Sequence, residues 1–166
     1  MFPLLRSICL SLFIFLLVFL QISWPLFPKQ LSLVFILAMA LLFTGFSSWT
    51  WLTAIIGGLF LDLYSIFPPS LFCLSLICSL FIVYKIAHKF NITSTRSLFV
   101  LGFVGTFIYK INILFFSYLF YLLKFSDYCI ILNKFYWLGL AWFMVLNTIF
   151  IFVITLGIKT IKRKVN

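Results

Sequence analysis

The stretch AIIGGLFLDLYSIFPPS, residues 54–70, ends an apolar run with two consecutive prolines, Pro68 and Pro69. Proline cannot continue a helix interior, because it lacks the backbone N–H and its ring clashes with the preceding turn. Another apolar run begins at once, at Ser70. The stretch therefore predicts two helices that are joined by a tight turn into a helical hairpin.

The composition of the whole chain indicates the solvent in which such a hairpin folds. Of the 166 residues, 66% are hydrophobic and only 8% are charged, whereas a soluble domain carries about 25% charged residues. That leaves too little polar surface to cover a water-soluble globule. The sequence therefore predicts an all-α integral membrane protein, in which about 20 residues per span allow about six spans with short loops.

Six apolar runs divide the chain into the expected transmembrane helices of a single domain, residues 1–166. They cover residues 4–27, 31–46, 49–67, 70–88, 97–123 and 135–158. The first run lacks a small-x-small cleavage site, so we expect a retained helix rather than a signal peptide. For the third and fourth runs, the alternative is a re-entrant pair that never crosses the bilayer.

The basic residues predict the orientation, because cytoplasmic loops of membrane proteins carry an excess of Lys and Arg. With the amino terminus in the cytoplasm, eight basic residues face inward and three face outward, and Lys110 lies inside a helix. The inward set is Arg6, Lys85, Lys89, Arg96, Lys159, Lys162, Arg163 and Lys164, and the outward set is Lys29, Lys124 and Lys134. Both termini are therefore predicted to be cytoplasmic.

The net charge of +10 does not indicate a nucleic-acid partner. A phosphate-binding footprint clusters basic residues on one face of a folded domain, whereas these residues lie at the ends of apolar runs. That distribution is typical of helices anchored in membranes with anionic lipids. We therefore expect membrane lipids, and no nucleic acid, as partners.

Residues that carry chemistry are scarce. The chain has two acidic residues, Asp62 and Asp127, and a single histidine, His88, and its four cysteines show no metal-binding spacing. A membrane enzyme that acts on lipid phosphates would need several acids for metal binding or acid–base catalysis. The sequence therefore predicts no enzyme, no cofactor and no metal site, and the cysteines are expected to be packing residues.

Asp62 lies inside the third run, where an ionisable residue costs at least about 2.5–3.5 kcal/mol at the centre of a span. Ala54, Gly58, Asp62 and Ser65 follow at spacings of four, four and three, which places them on one helical face, and Gly57 widens that face. Small residues let a second helix approach closely, and a carboxylate can hydrogen-bond across the contact. We predict helix packing here, with a partner- or ligand-binding site as the alternative. The candidate residues are Ala54, Gly57, Gly58, Asp62, Ser65 and Pro68.

Lys110 is a second ionisable residue inside an apolar run. Lys110 and Asp62 each lie 13 residues from the expected start of an outward-running helix, which is a depth of about 20 Å at about 1.5 Å per residue. The equal depth makes the two residues candidates for an intramembrane ion pair. The interpretation that we favour is that Lys110 snorkels to the cytoplasmic interface, because the fifth run is longer than a span requires. Asn112 and Asn147 are expected to satisfy helix–helix contacts.

Residues 54–65 resemble the most recognisable stretch of the MreD family of rod-shape-determining membrane proteins, in which a Gly-rich helix ends in the pattern G-x-x-x-D-x-x-S. Gly58, Asp62 and Ser65 match that pattern, and Pro68 and Pro69 stand in the turn that follows it. The chain length, the pair Leu20-Gln21 and the basic carboxyl terminus agree with the family. The resemblance covers residues 54–88 closely and the rest of the chain loosely. The chain departs from the pattern at Lys29, Ile66 and Ser70, where many members have an aspartate or glycines.

The resemblance implies a non-catalytic scaffold of the cell-wall elongation complex in the bacterial cytoplasmic (inner) membrane. It implies MreC as a partner, together with RodA, a class B penicillin-binding protein and the MreB cytoskeleton. The family's fold is also similar to that of the substrate-binding subunits of energy-coupling-factor vitamin transporters. Such a subunit is therefore the alternative function, with Asp62, Tyr64 and Ser65 as candidates for lining its pocket.

Overall fold

A computed structural model describes residues 2–23, 32–65, 67–89, 94–127, 130, 132 and 134–165. Over these residues the chain is all-helical, with six helices and no strand, which confirms the all-α part of the prediction. The helices are α1 (Phe2–Ser23), α2 (Leu33–Phe43), α3 (Ser47–Leu63), α4 (Leu71–Lys89), α5 (Thr95–Leu122) and α6 (Lys134–Val165). Lys29 and Ile66, at which the sequence departs from the MreD pattern, lie outside the described residues.

Three of these helices are long and apolar enough to cross a membrane, namely α4, α5 and α6 up to Ile161. They make the chain compatible with a membrane protein. In contrast, α2 has only 11 residues, which is about 16 Å of helix against a hydrocarbon core of about 30 Å. The expected number of six spans and the cytoplasmic termini stay predictions.

The short helix α2 lies at the centre of the bundle and contacts all five other helices. Its sequence is apolar on every side, and most of its side chains are buried, as expected for a helix that other helices surround. The other helices pack in the order α1, α3, α4, α5, α6 around it. The buried Tyr109 of α5 stacks on Phe35 of α2, with ring centroids 4.4 Å apart. This contact packs α5 directly against the central helix.

The turn between α2 and α3 explains why α2 ends earlier than its apolar run. Gly45 has a φ of +86°, in the left-handed region that favours glycine. The Gly45 N–H donates to the Leu42 carbonyl, and the Phe46 N–H donates to the Leu41 carbonyl. This pair of bonds is a Schellman motif. It stops α2 at Phe43 and turns the chain directly into α3.

Candidate functional site at the junction of α3 and α4

Asp62 forms the polar centre of the junction, in the last turn of α3, where only 8% of the residue is exposed. One carboxylate oxygen accepts the N–H of Phe72 at 2.7 Å, and the other accepts the N–H of Cys73 at 3.1 Å. These donors lie in the first turn of α4, where backbone N–H groups have no partner within the helix. The negative charge also lies at the positive end of the α4 dipole. Asp62 therefore caps α4 from the preceding helix.

Gly58 lies one turn before Asp62 and allows α4 to come close enough for this cap. A Cβ atom on Gly58 would lie 2.5 Å from the Cα of Cys73 and 3.1 Å from its backbone nitrogen. The Cys73 sulfur lies 4.0 Å from the carbonyl oxygen of Ile55, in the same contact. Because the nearest obstructing atoms belong to the backbone of α4, no change of a side-chain rotamer in α4 can make room for a side chain at Gly58.

Gly57 and Ala54 lie on the same stripe, and Gly57 packs against helices other than α4. A Cβ on Gly57 would lie 2.3 Å from the Cγ1 of Val34 in α2 and 3.4 Å from the Cγ2 of Ile14 in α1, and Ala54 is fully buried. The stripe of small residues packs closely against neighbouring helices in the structure. It is shared among several helices, with Gly58 and Asp62 toward α4 and Gly57 toward α2 and α1.

Ser65 and Pro68 complete the corner between the two helices. The N–H and the hydroxyl of Ser65 both reach the carbonyl oxygen of Asp62, each at 3.3 Å, which ends α3. Pro68 is buried, and its carbonyl accepts the N–H of Leu71 at the start of α4. Asp62 and Ser65 thus use their polar atoms within the junction itself.

The structure does not form the predicted ion pair between Asp62 and Lys110. Asp62 is directed at α4, whereas the Lys110 ammonium lies 4.2 Å from the centre of the Phe143 ring in α6. Among the described residues α3 and α5 do not pack directly against each other, because α2 and α4 pack between them. Two residues at equal distances along two helices meet only where those helices face each other, and here they do not.

A second cap, which the sequence predicted only in part, lies at the amino-terminal end of α2. The Asn147 side-chain oxygen accepts the N–H of Ser32 at 2.9 Å, and the Gln21 side-chain oxygen accepts the N–H of Leu33 at 3.0 Å. The predicted contact role of Asn147 is confirmed. Gln21 was not expected in this role, and the signal for it is an isolated amide at the end of an otherwise apolar run.

We expect Asn147→Leu to destabilise the protein by about 1–2 kcal/mol, because it leaves the buried N–H of Ser32 without an acceptor. The measurement is unfolding of the purified protein in mixed detergent micelles, followed by circular dichroism. Asn112→Leu is the matched control, since Asn112 donates to the Ser79 hydroxyl between α5 and α4, a contact of about 0.6 kcal/mol in membrane proteins. Equal losses in the two variants would contradict the capping role.

Two further findings bear on the chemistry of the site. Within the part of the chain that the structure describes, no three His, Cys, Asp or Glu side chains come together as a metal site would require. A groove of about 450 Å³ is lined by residues of α5 and α6, namely Thr95, Arg96, Phe99, Val100 and Phe152, and by none from the junction.

Comparison of the chain with protein-family models, curated proteins and solved structures finds no match in any of the three.

Proposed function

We propose that this protein is a non-catalytic membrane scaffold of the MreD kind. In this role it resides in the bacterial cytoplasmic (inner) membrane and helps maintain rod shape by binding MreC and the peptidoglycan synthases of the elongation complex. The observation that carries the proposal is the use of the G-x-x-x-D-x-x-S residues as a helix junction. Both carboxylate oxygens of Asp62 hold α4, and the absent side chain of Gly58 sets the spacing of α3 and α4.

In this arrangement the protein is multi-pass with six membrane-embedded helices, and both termini lie in the cytoplasm. The distribution of basic residues at the ends of the runs supports that orientation. Large apolar side chains such as Phe103, Phe107 and Phe115 of α5 are exposed, which suits a lipid-facing surface. The central helix α2 contacts every other helix, so it can lie within the membrane without spanning it.

The alternative, a substrate-binding subunit of a vitamin transporter, requires polar side chains that converge on an outward-facing pocket. Of its three candidates, Asp62 and Ser65 hydrogen-bond to the backbone of the junction. The third, Tyr64, is 54% exposed. None of the three lines the groove between α5 and α6. These contacts favour the scaffold over substrate capture.

We expect affinity purification of the tagged chain from native membranes in mild detergent to recover MreC. RodA, the class B penicillin-binding protein and MreB are expected with it in smaller amounts. Mass spectrometry of the eluate identifies them, and an unrelated multi-pass protein with the same tag serves as the control. Recovery of paired ATPases with a coupling subunit would instead make this protein a solute-capture subunit.

A further inference from the structure

Lys110 lies near the middle of a helix that is long enough to cross the membrane. Helix α5 has 28 residues, or about 42 Å at about 1.5 Å per residue. Lys110 is about 22 Å from Thr95 and about 18 Å from Leu122 on the same scale. Arg96 marks one end of the apolar segment, and exposed Tyr118 and Tyr121 mark the other, as aromatic residues do at membrane interfaces. The ammonium is therefore attached at mid-depth.

The side chain of Lys110 is half-buried, where the outward face of α5 meets α6. On the same side of the helix Phe103 and Phe107 are exposed large apolar residues, and Ile111 extends that exposed surface beyond Phe107. The Lys110 amine lies over the ring of Phe143 in α6. Phe143 offers the negative face of a π-system but no counter-charge. Charged side chains inside a span normally pair with one another or line a polar path, but among the described residues no carboxylate pairs with this ammonium.

The chain itself cannot supply that carboxylate. Its two acidic residues are Asp62 and Asp127. Asp62 is bound to the first turn of α4, and Asp127 is exposed beyond the end of α5 at Leu122. Among the described residues neither forms an ion pair with Lys110. A second copy would bring the same two acids in the same two places. Neither acid of this sequence therefore lies beside Lys110, whereas a different protein can supply a carboxylate there.

A lipid headgroup is a poor substitute for a protein carboxylate at this position. Phosphate groups lie at the membrane interface, about 15 Å from mid-depth in a hydrocarbon core of about 30 Å. The Lys110 amine instead lies over Phe143, a residue that packs near Tyr109 in the interior of the helix pair. A carboxylate on a transmembrane helix can reach this depth, because the helix carries it there.

We propose that the α5–α6 face around Lys110 binds a transmembrane helix of another membrane protein that carries an Asp or Glu at mid-depth. The carboxylate pairs with the Lys110 ammonium, and the exposed Phe103, Phe107 and Ile111 pack against the apolar residues of that helix. The inference rests on the proposed scaffold function and gives the chemistry of one partner. The interface is heterotypic, since Asp62 is bound to α4 and Asp127 lies beyond the end of α5.

The first test compares partner recovery by the wild type and by Lys110→Met. We expect the variant to retain about tenfold less of one integral membrane protein per chain, which corresponds to about 1.4 kcal/mol. Lys89→Met is the matched control, because it removes an exposed lysine at the end of α4, and its recovery is expected to equal that of the wild type. Lys110→Met removes a charge from an apolar environment, so its thermal stability in detergent should be at least that of the wild type.

The second test identifies the partner atom. The membrane-permeant reagent dicyclohexylcarbodiimide activates a carboxylate, the lysine amine displaces the activating group to form an amide, and the reagent leaves as the urea. We expect native membranes to give a cross-linked peptide that joins Lys110 to an Asp or Glu in an apolar segment of another protein. The inference would be overturned if Lys110 formed cross-links only to Asp62 or Asp127, or formed no cross-link.

The two proposals fail in different ways. If wild type and Lys110→Met recover MreC and the synthases equally, the docking face is wrong and the scaffold stands. If the wild type recovers paired ATPases, the scaffold function is wrong. The amount of membrane protein recovered by the wild type relative to Lys110→Met then tests the ion pair separately. If the wild type recovers no integral membrane protein, both proposals are wrong.

Discussion

Replacing Asp62 with alanine is expected to lower the free energy of unfolding by about 3 kcal/mol. The change leaves the N–H groups of Phe72 and Cys73 without acceptors. A buried donor that loses its partner costs about 1–3 kcal/mol, and a low dielectric raises that cost. Asp62→Asn keeps one carbonyl oxygen and places an amide group where the second oxygen was, so we expect a loss between those of the alanine variant and the wild type.

The measurement is the midpoint of unfolding in mixed detergent micelles, followed by circular dichroism. Asp127→Ala is the matched control, because it deletes the only other acidic side chain of the sequence, an exposed one, and a change on the surface stays within about 0.5 kcal/mol. If the two aspartate variants unfold together, Asp62 does not hold the junction.

Hydrogen exchange locates the effect of the Asp62 substitutions within the fold. The amides of Phe72 and Cys73 depend on the Asp62 carboxylate in the wild type, so they are expected to exchange faster in Asp62→Ala. Amides in the centre of α4, such as that of Leu80, are bonded within the helix and should respond only through the lower global stability. Uniform acceleration along α4 would contradict a local cap.

The sequence predicts the helices well, because apolar runs and turn residues are local signals. The observed ends of two helices differ from the ends of the predicted runs, for different reasons. The third run extends to residue 67, yet α3 stops at Leu63 because Ser65 takes the carbonyl of Asp62. The sixth run ends at residue 158, yet α6 continues to Val165, because lysine and arginine end an apolar segment but are good helix formers.

The candidate site shows the same division between local and tertiary information. Helical spacing places Gly58 and Asp62 on one face, and both do meet α4. Spacing carries no information on which helix lies opposite, and for that reason the pairing of Asp62 with Lys110 was wrong. Gln21 was missed as a cap because its acceptor role depends on the position of α2, which no local pattern gives.

Gly58→Ala is expected to destabilise the protein by about 2–3 kcal/mol, at the upper end of the cost of overpacking. The added methyl would stand 2.5 Å from the Cα of Cys73, so α3 and α4 must separate. Gly139→Ala is the matched control, since a Cβ there meets nothing within 4 Å, and alanine in an open helix position stabilises by up to about 1 kcal/mol. Unfolding in mixed detergent micelles measures both variants.

The same separation of helices links Gly58 to the cap. If α4 moves away from α3, the carboxylate of Asp62 loses its reach to Phe72 and Cys73, so Gly58→Ala already removes part of what Asp62→Ala removes. We therefore expect the double variant to lose less stability than the two single losses together, by about 1 kcal/mol, as for residues that share partners. Strictly additive losses would mean that close packing and capping act independently. The motif would then be two separate features of α3 rather than one junction.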